Sequence, residues 1–455
     1  MGCGIPIIHV DKEELKRKIV IPARLRRAMA AAMENKDPSV EGLEKGEGDE
    51  DEEIPEVPMV VFINPRSGGR QGTALKAKLL EFMGEEQVLD LTVTKPPDFF
   101  QYGLACLENL ASLGDDCAKS VRESLRIMVA GGDGTVGWVL GSAGELHLQN
   151  RLPVPPTGII PLGTGNDLSR TFGWGGSFPF AWKSIIKRVL LRAATGTTSH
   201  LDSWHVTVST PDGETLELPH ALRRMDQCPF VQDGATVGGE LVERSCFEGV
   251  FYNYFSIGMD AQVAYGFHQL RDEKPHLAQN AIANKLIYTG YSCTQGWFLV
   301  PCMSDPSLRG LKNILRIYIR RNDSSDWEFL PVPSSIRAVV ALNLQNYGSG
   351  RNPWGQLKPE YMEKRGFTEA HSDDGLIEIF GLKQGWHATF VMAELINAKH
   401  IAQAVAIRLE IRGGEWNEAF LQMDGEPWKQ PLNDEYSTFV EIVRVPSQSA
   451  MIDGE

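Results

Sequence analysis

Within residues 59–168, apolar segments run into glycine-bearing turns three times over, and this arrangement constrains the fold more than any other feature. Met59 to Ile63 leads into Asn64-Pro65-Arg66-Ser67-Gly68-Gly69, and Leu125 to Ala130 leads into Gly131-Gly132-Asp133-Gly134-Thr135. A third apolar segment ends in Pro161-Leu162-Gly163-Thr164-Gly165-Asn166-Asp167. Residues 73–86 read as a helix, and Val136 to Leu140 can start another. Short buried strands that end in glycine and feed helices predict a doubly wound α/β sheet, with ligands outside the carboxyl ends of its strands. Glycine lets main-chain N–H groups approach an anion with no Cβ in the way. Turns of this kind at helix N-termini cradle phosphate oxygens.

Around residue 200 the texture changes. Trp204 to Val208, Leu315 to Ile319, Ala338 to Leu344 and Leu376 to Phe380 alternate or form short apolar runs separated by Gly, Pro and Asp. That pattern predicts a mainly antiparallel β domain, with helices near 260–290 and 388–405. The stretch 210–245 is polar and turn-rich and reads as an insertion. The expected division is therefore 1–56 as a basic amphipathic segment and acidic disordered linker, 57–200 as the α/β domain, 201–440 as the β-rich domain and 441–455 as a tail.

The first 56 residues are charged unevenly. Lys12, Lys16, Arg17, Lys18, Arg24, Arg26 and Arg27 interleave with Leu15, Ile19, Val20, Leu25, Ala28 and Met29, with Pro22 interrupting the helix. Such a stretch suits anionic lipid or a calmodulin-like partner, or is simply a solvated helix. Nine acids against Lys45 alone follow between Glu41 and Glu56. The whole chain carries 45 basic and 59 acidic residues, a net −14, which argues against nucleic-acid binding. Its seven scattered cysteines include no CxxC pair and suggest no disulfide framework. No apolar run approaches the roughly 20 residues that span a bilayer. A soluble intracellular chain is expected.

The motifs narrow the chemistry. GxxxxGK[ST] is absent, as are the HRD and DFG elements of protein kinases. Gly132 to Gly137 fits GxGxxG, yet no acid lies between Glu145 and Asp167 to meet a ribose. An Asp inside a phosphate turn repels the anion unless a metal or a transferred proton uses it, so Asp133 suits phosphoryl transfer; the alternative is an acid capping the next helix. His371-Ser372-Asp373-Asp374-Gly375-Leu376 and Gln422-Met423-Asp424-Gly425-Glu426-Pro427 offer further carboxylates. They suit a hard cation such as Mg²⁺ and a proton acceptor, or are solvated Asp-Gly hairpin turns.

Read together, Gly131 to Val136 with Trp138-Val139-Leu140, then Pro161 to Leu168 and Trp174-Gly175, resemble the catalytic domain of eukaryotic diacylglycerol kinases. Asn253-Tyr254-Phe255-Ser256-Ile257-Gly258-Met259-Asp260-Ala261, Phe267-His268, Arg271 and Asn284-Lys285 resemble their accessory domain. The resemblance runs from about residue 59 to 440. With no cysteine-rich zinc modules, it is similar to the short plant-type form. It implies the two-lobed fold shared by lipid kinases and NAD kinases. The implied reaction is transfer of the γ-phosphate of ATP to the free hydroxyl of 1,2-diacylglycerol, giving phosphatidic acid and ADP.

The implied nucleotide contacts are Asn64, Pro65, Ser67, Gly68, Gly69, Gly131, Gly132, Gly134 and Thr135, with Gly163, Thr164, Gly165, Asn166 and Asp167 beside them. Asp374, the Leu376 carbonyl and Asp373 would organise Mg²⁺. Asp133 and Glu426, the latter with Asp424 nearby, compete as the base. Trp297, Phe298 and Trp354 are candidates for an apolar mouth. The expected setting is cytoplasmic, with peripheral contact to the membrane that holds diacylglycerol. Rival readings are a kinase of sphingoid base or ceramide, or a catalytically silent lipid-binding protein.

Overall fold

The computed structural model describes residues 11–39, 53–178, 183–211, 218–228, 236–237, 240–241, 243–273, 310–321, 326–383, 397–414 and 416–455. The chain divides into two compact units, residues 1–200 with 449–455 and residues 201–448.

The first unit is built on a six-stranded sheet. Its first two helices, α1 (Lys12–Ile19) and α2 (Ala23–Asn35), precede β1 (Met59–Ile63) and α3 (Ser67–Leu79). Next come β2 (Val88–Asp90) and the helices α4 (Pro96–Asp98), α5 (Leu104–Ser112) and α6 (Asp116–Ser124). Then β3 (Arg126–Gly131), α7 (Asp133–Leu148), β4 (Thr157–Pro161), α8 (Asp167–Thr171), α9 (Lys183–Thr195) and β5 (Thr198–Leu201) follow. The sheet order is β2-β1-β3-β4, then the strand Ser449–Ile452, then β5. The pairs β1–β2, β1–β3 and β3–β4 are parallel. All five residues of β1 and of β4 are buried, as a parallel strand covered on both faces requires.

Both ends of the chain depart from expectation. The basic N-terminal segment does form helices broken at Pro22, but its apolar stripe is spent on the chain's own core: Leu15, Ile19, Ile21, Leu25, Ala28 and Met29 are all buried. Gln87 locks the segment down, donating to the Ile19 and Met59 carbonyls at 3.0 and 2.7 Å. Arg24 forks onto Asp115, and Arg26 reaches Glu86 at 2.6 Å. The face expected to lie on lipid or in a calmodulin-like partner is therefore occupied within the unit, because burying six apolar side chains gains more than leaving them for a surface. At the other end, residues 441–444, read as the start of a tail, complete the strand Thr438–Arg444 of the second unit, and the strand Ser449–Ile452 runs parallel to β4.

The second unit packs a seven-stranded sheet against a six-stranded one around Trp204, Phe251, Phe255, Trp428 and aliphatic neighbours. Strands 204–211, 315–320, 338–342 and 377–382 fall where alternation placed them. Residues 399–404 form a strand instead of the end of a helix, while 384–396 lie outside the described residues. Of the helix expected near 260–290, Met259–Glu273 is observed, and we number it α10. The cysteines also correct the sequence reading. Cys228 and Cys246 form a disulfide with Cα atoms 5.2 Å apart, brought together where the Met225 N–H bonds the Cys246 carbonyl.

Candidate active site

Because β1, β3 and β4 are neighbours, their carboxyl ends bring the three glycine turns together. Asn64 fixes the first: its N–H bonds Ala130 O at 3.0 Å and its Oδ1 accepts the Arg66 N–H at 3.0 Å. That orientation leaves Nδ2 to donate to Thr135 Oγ1 at 3.2 Å, so the Thr135 hydroxyl keeps its own proton to give. Gly68 takes φ +62°, and a Cβ there would lie 2.9 Å from Leu162 O in the third turn. At Gly163 a Cβ would fall 2.6 Å from Gly132 Cα. The second and third turns therefore touch main chain to main chain, which only glycines permit. Ser67 with Gly69 opens α3 and Asp133 with Gly134 opens α7, so the positive ends of a 13- and a 16-residue helix point at the place where the turns meet.

Asp133 is committed to this assembly. Its Oδ2 accepts the Asp167 N–H at 3.0 Å and its Oδ1 the Leu168 N–H at 3.1 Å, so it caps α8 across from its own helix. Asn166, in left-handed conformation at φ 56°, is buried. It accepts the Gly163 N–H at 3.0 Å and donates to Gly163 O and Gly176 O, both at 2.8 Å. Asp167 is buried beside it, and Pro65, Thr164 and Gly165 lie in the same turns. Asn166 and Asp133 hold the turns in shape, while the N–H groups of the glycines are what an anion would meet.

The second unit carries the other named acids. Asp424 and Gly425, both at positive φ, form a two-residue hairpin turn. The Asp424 carboxylate accepts the N–H groups of Tyr252 (2.8 Å), Asn253 (2.8 Å) and Tyr254 (2.9 Å). Burial pushes its carboxyl up to about 6 against those three donors, with the Glu426 charge adding to the rise. Glu426 Oε2 accepts the Ala221 N–H at 2.9 Å.

Asp374 accepts the Leu376 N–H at 2.8 Å and the His371 N–H at 3.2 Å, closing its own turn. Burial raises its carboxyl first, and the charges of Glu378 and Asp202 add to this. Asp373 is placed by its carbonyl, which takes Gln448 Nε2 at 3.0 Å. Among the described residues, no group of three or more His, Cys, Asp or Glu is disposed to hold a metal ion. Each Asp374 oxygen accepts one main-chain N–H of its own turn, and the turn forms no three-carboxylate cation cage among the described residues. Trp354, a candidate for the apolar mouth, is buried and stacked on His400 at 4.8 Å, while Trp297 and Phe298 lie outside the described residues.

Sequence profiles of two domains match the chain: the diacylglycerol kinase catalytic domain over residues 58–198 and the diacylglycerol kinase accessory domain over residues 250–427. Diacylglycerol kinase 4 of Arabidopsis thaliana is 61% identical, over 98% of this chain and 92% of its own length. Diacylglycerol kinase 7 of the same plant is 58% identical, over 100% and 94%. The chain belongs to the diacylglycerol kinase family. Human diacylglycerol kinase iota is 30% identical over 81% of this chain and 29% of its own length, so this chain matches one part of a longer relative.

Seen as a diacylglycerol kinase, the structure adds two acids that sequence reasoning did not place at a site. Asp202, fully buried, accepts the Gly375 N–H at 2.7 Å and Gln448 Nε2 at 3.0 Å, and so sets the Asp373–Asp374 turn. Its position just before the apolar run from Trp204 was the only signal. Asp260, in the first turn of α10, accepts from Ser256 Oγ at 2.9 Å and from Gln422 and Tyr347. It was visible within the accessory-domain motif but carried no role there.

Proposed function

We propose that this chain transfers the γ-phosphoryl group of ATP to the free hydroxyl of 1,2-diacylglycerol, releasing phosphatidic acid and ADP. The observation that carries the proposal is the meeting of three glycine turns, with Gly132 and Gly163 in main-chain contact, at the carboxyl ends of adjacent parallel strands. Bare N–H groups, two helix N-termini and the Thr135 hydroxyl supply fixed positive dipoles for the triphosphate. Catalysis then rests on holding the terminal phosphoryl in line with the alcohol. As bond formation proceeds, the alcohol proton passes to a carboxylate and ADP leaves. Asp133 stands in the second glycine turn, where it accepts the Asp167 and Leu168 N–H groups, while Glu426 has an Oε1 with no partner among the described residues.

Mg²⁺ enters in this scheme with the nucleotide, as the counter-ion of ATP, since the 371–376 turn offers it no cage. The setting we propose is cytoplasmic and peripheral to the membrane, because the acceptor is a bilayer lipid. No described helix is long and apolar enough to cross a membrane. A calmodulin-like partner on α1–α2 would first have to pull their apolar face out of the core.

The test is product analysis with the full chain, diacylglycerol in detergent micelles and labelled ATP, with Mg²⁺ present and absent. Phosphatidic acid and ADP in equal amounts, dependent on Mg²⁺, are expected. ADP without labelled lipid would overturn the proposal. Asp133→Asn is expected to lower kcat by ~10²-fold; near-normal turnover would move the base to Glu426.

A further inference from the structure

A triphosphate needs more than dipoles, and this chain lacks the lysine that a GxxxxGK turn would provide. Arg170 lies on α8, directly after the third glycine turn. Its chain returns through residues 173–178 to the carboxyl end of β4: the Trp174 N–H bonds Ser169 O at 2.8 Å, Ser169 Oγ bonds Gly175 O at 2.6 Å, and the Phe178 N–H bonds Pro161 O at 3.1 Å. The guanidinium rests directly on Gly176, where a Cβ would fall 2.0 Å from Arg170 Cζ. Gly176 is in turn tied to Gly163 through the one Asn166 amide that donates to both carbonyls. The cation is thus mounted on the same small assembly that presses Gly163 against Gly132.

Among the described residues, no hydrogen bond or ion pair engages its guanidinium. Arg170 Nε is buried and has no acceptor, and among the described residues no carboxylate pairs with the guanidinium, although Asp133 and Asp167 belong to the adjoining turn. Other arginines of this unit behave differently: Arg24, Arg26, Arg122 and Arg151 all hold carboxylates. A fork of N–H donors left without an acid, at the ligand-binding edge of a parallel sheet, matches the geometry of a phosphate.

We infer that Arg170 binds the phosphate chain of the nucleotide, supplying the positive charge that the glycine turns lack. The inference rests on the ATP reading given above. Its contact is with the phosphates and not with the base or ribose, so its loss discriminates among ligands that differ only there.

The experiment measures dissociation constants of ATP, ADP and adenosine for the full chain and for Arg170→Gln and Arg170→Lys, by competition with a fluorescent nucleotide. Thermal melting is recorded for each protein. Arg170→Gln is expected to weaken ATP and ADP at least tenfold and to leave adenosine unchanged; Arg170→Lys, which keeps the charge but not the fork, should weaken them less. If Arg170→Gln fails to fold, the Arg170→Lys affinities decide by the same contrast. Unchanged ATP affinity in a folded variant overturns the inference, as does equal weakening of all three ligands, which marks a merely structural support of the 173–176 loop. A wild-type chain that binds no ATP would instead overturn the nucleotide reading itself.

Discussion

At the scale of single residues, the acids named from sequence divide by what their oxygens already touch. Asp424 read by itself as a hairpin Asp and, beside the glycine turns, as a base's neighbour; its three main-chain N–H bonds join the 424–425 turn to residues 252–254. Its carboxyl sits near 6 in the folded chain against 3.8 ordinarily. Folding therefore favours the protonated form. The group's stabilising contribution is full below pH ~4 and is lost as pH rises through about 6, a change on the order of 3 kcal/mol. Asp424→Asn removes that titration. The stability of wild type relative to Asp424→Asn, from urea melts, should be greater at pH 4 than at pH 7; a difference that is flat with pH would show that the carboxyl is not raised. Asp202 escaped sequence reading because its partner Gly375 lies 173 residues away, and no local pattern announces such a bond.

Among elements, legibility followed locality. β1, β3 and β4 were readable because a run of apolar residues ending in glycine has few alternatives in a parallel sheet. Residues 399–404 were not, since Lys-His-Ile-Ala-Gln-Ala suits a helix and only its antiparallel ladder with 377–382 makes it a strand. The strand Ser449–Ile452 is four residues long and pairs with a strand almost 300 positions earlier, so its sequence alone says little. Yet Met451 and Ile452 are fully buried. Ending the chain at Gln448 should cost roughly 3–6 kcal/mol, much of a typical domain's stability. Thermal denaturation should show the loss in the first unit, and an unchanged melting temperature would contradict the placement. The meeting of the turns gives a sharper test. Gly163→Ala drives a Cβ into the Gly132 main chain and is expected to cost about 1–3 kcal/mol and to abolish measurable ATP binding. Retained affinity would mean that the turns do not form the phosphate site.

For the molecule as a whole, the identity of the acceptor is the larger question. The same glycine turns would serve any kinase of this broader fold, and Asp133 has the same capping role whichever alcohol is phosphorylated. What separates a diacylglycerol kinase is the accessory part, which the chain shares with its plant relatives over nearly its full length. Membrane attachment, on the other hand, cannot use the apolar face of α1–α2 while that face holds Leu15, Ile19 and Leu25 in the core. The measurement that bears most directly on the account is therefore kcat/KM for diacylglycerol, sphingosine, ceramide and NAD⁺ presented in turn to the full chain with MgATP. We predict that diacylglycerol exceeds each of the others by at least ~10²-fold; comparable or faster phosphorylation of a sphingoid lipid or of NAD⁺ would contradict it.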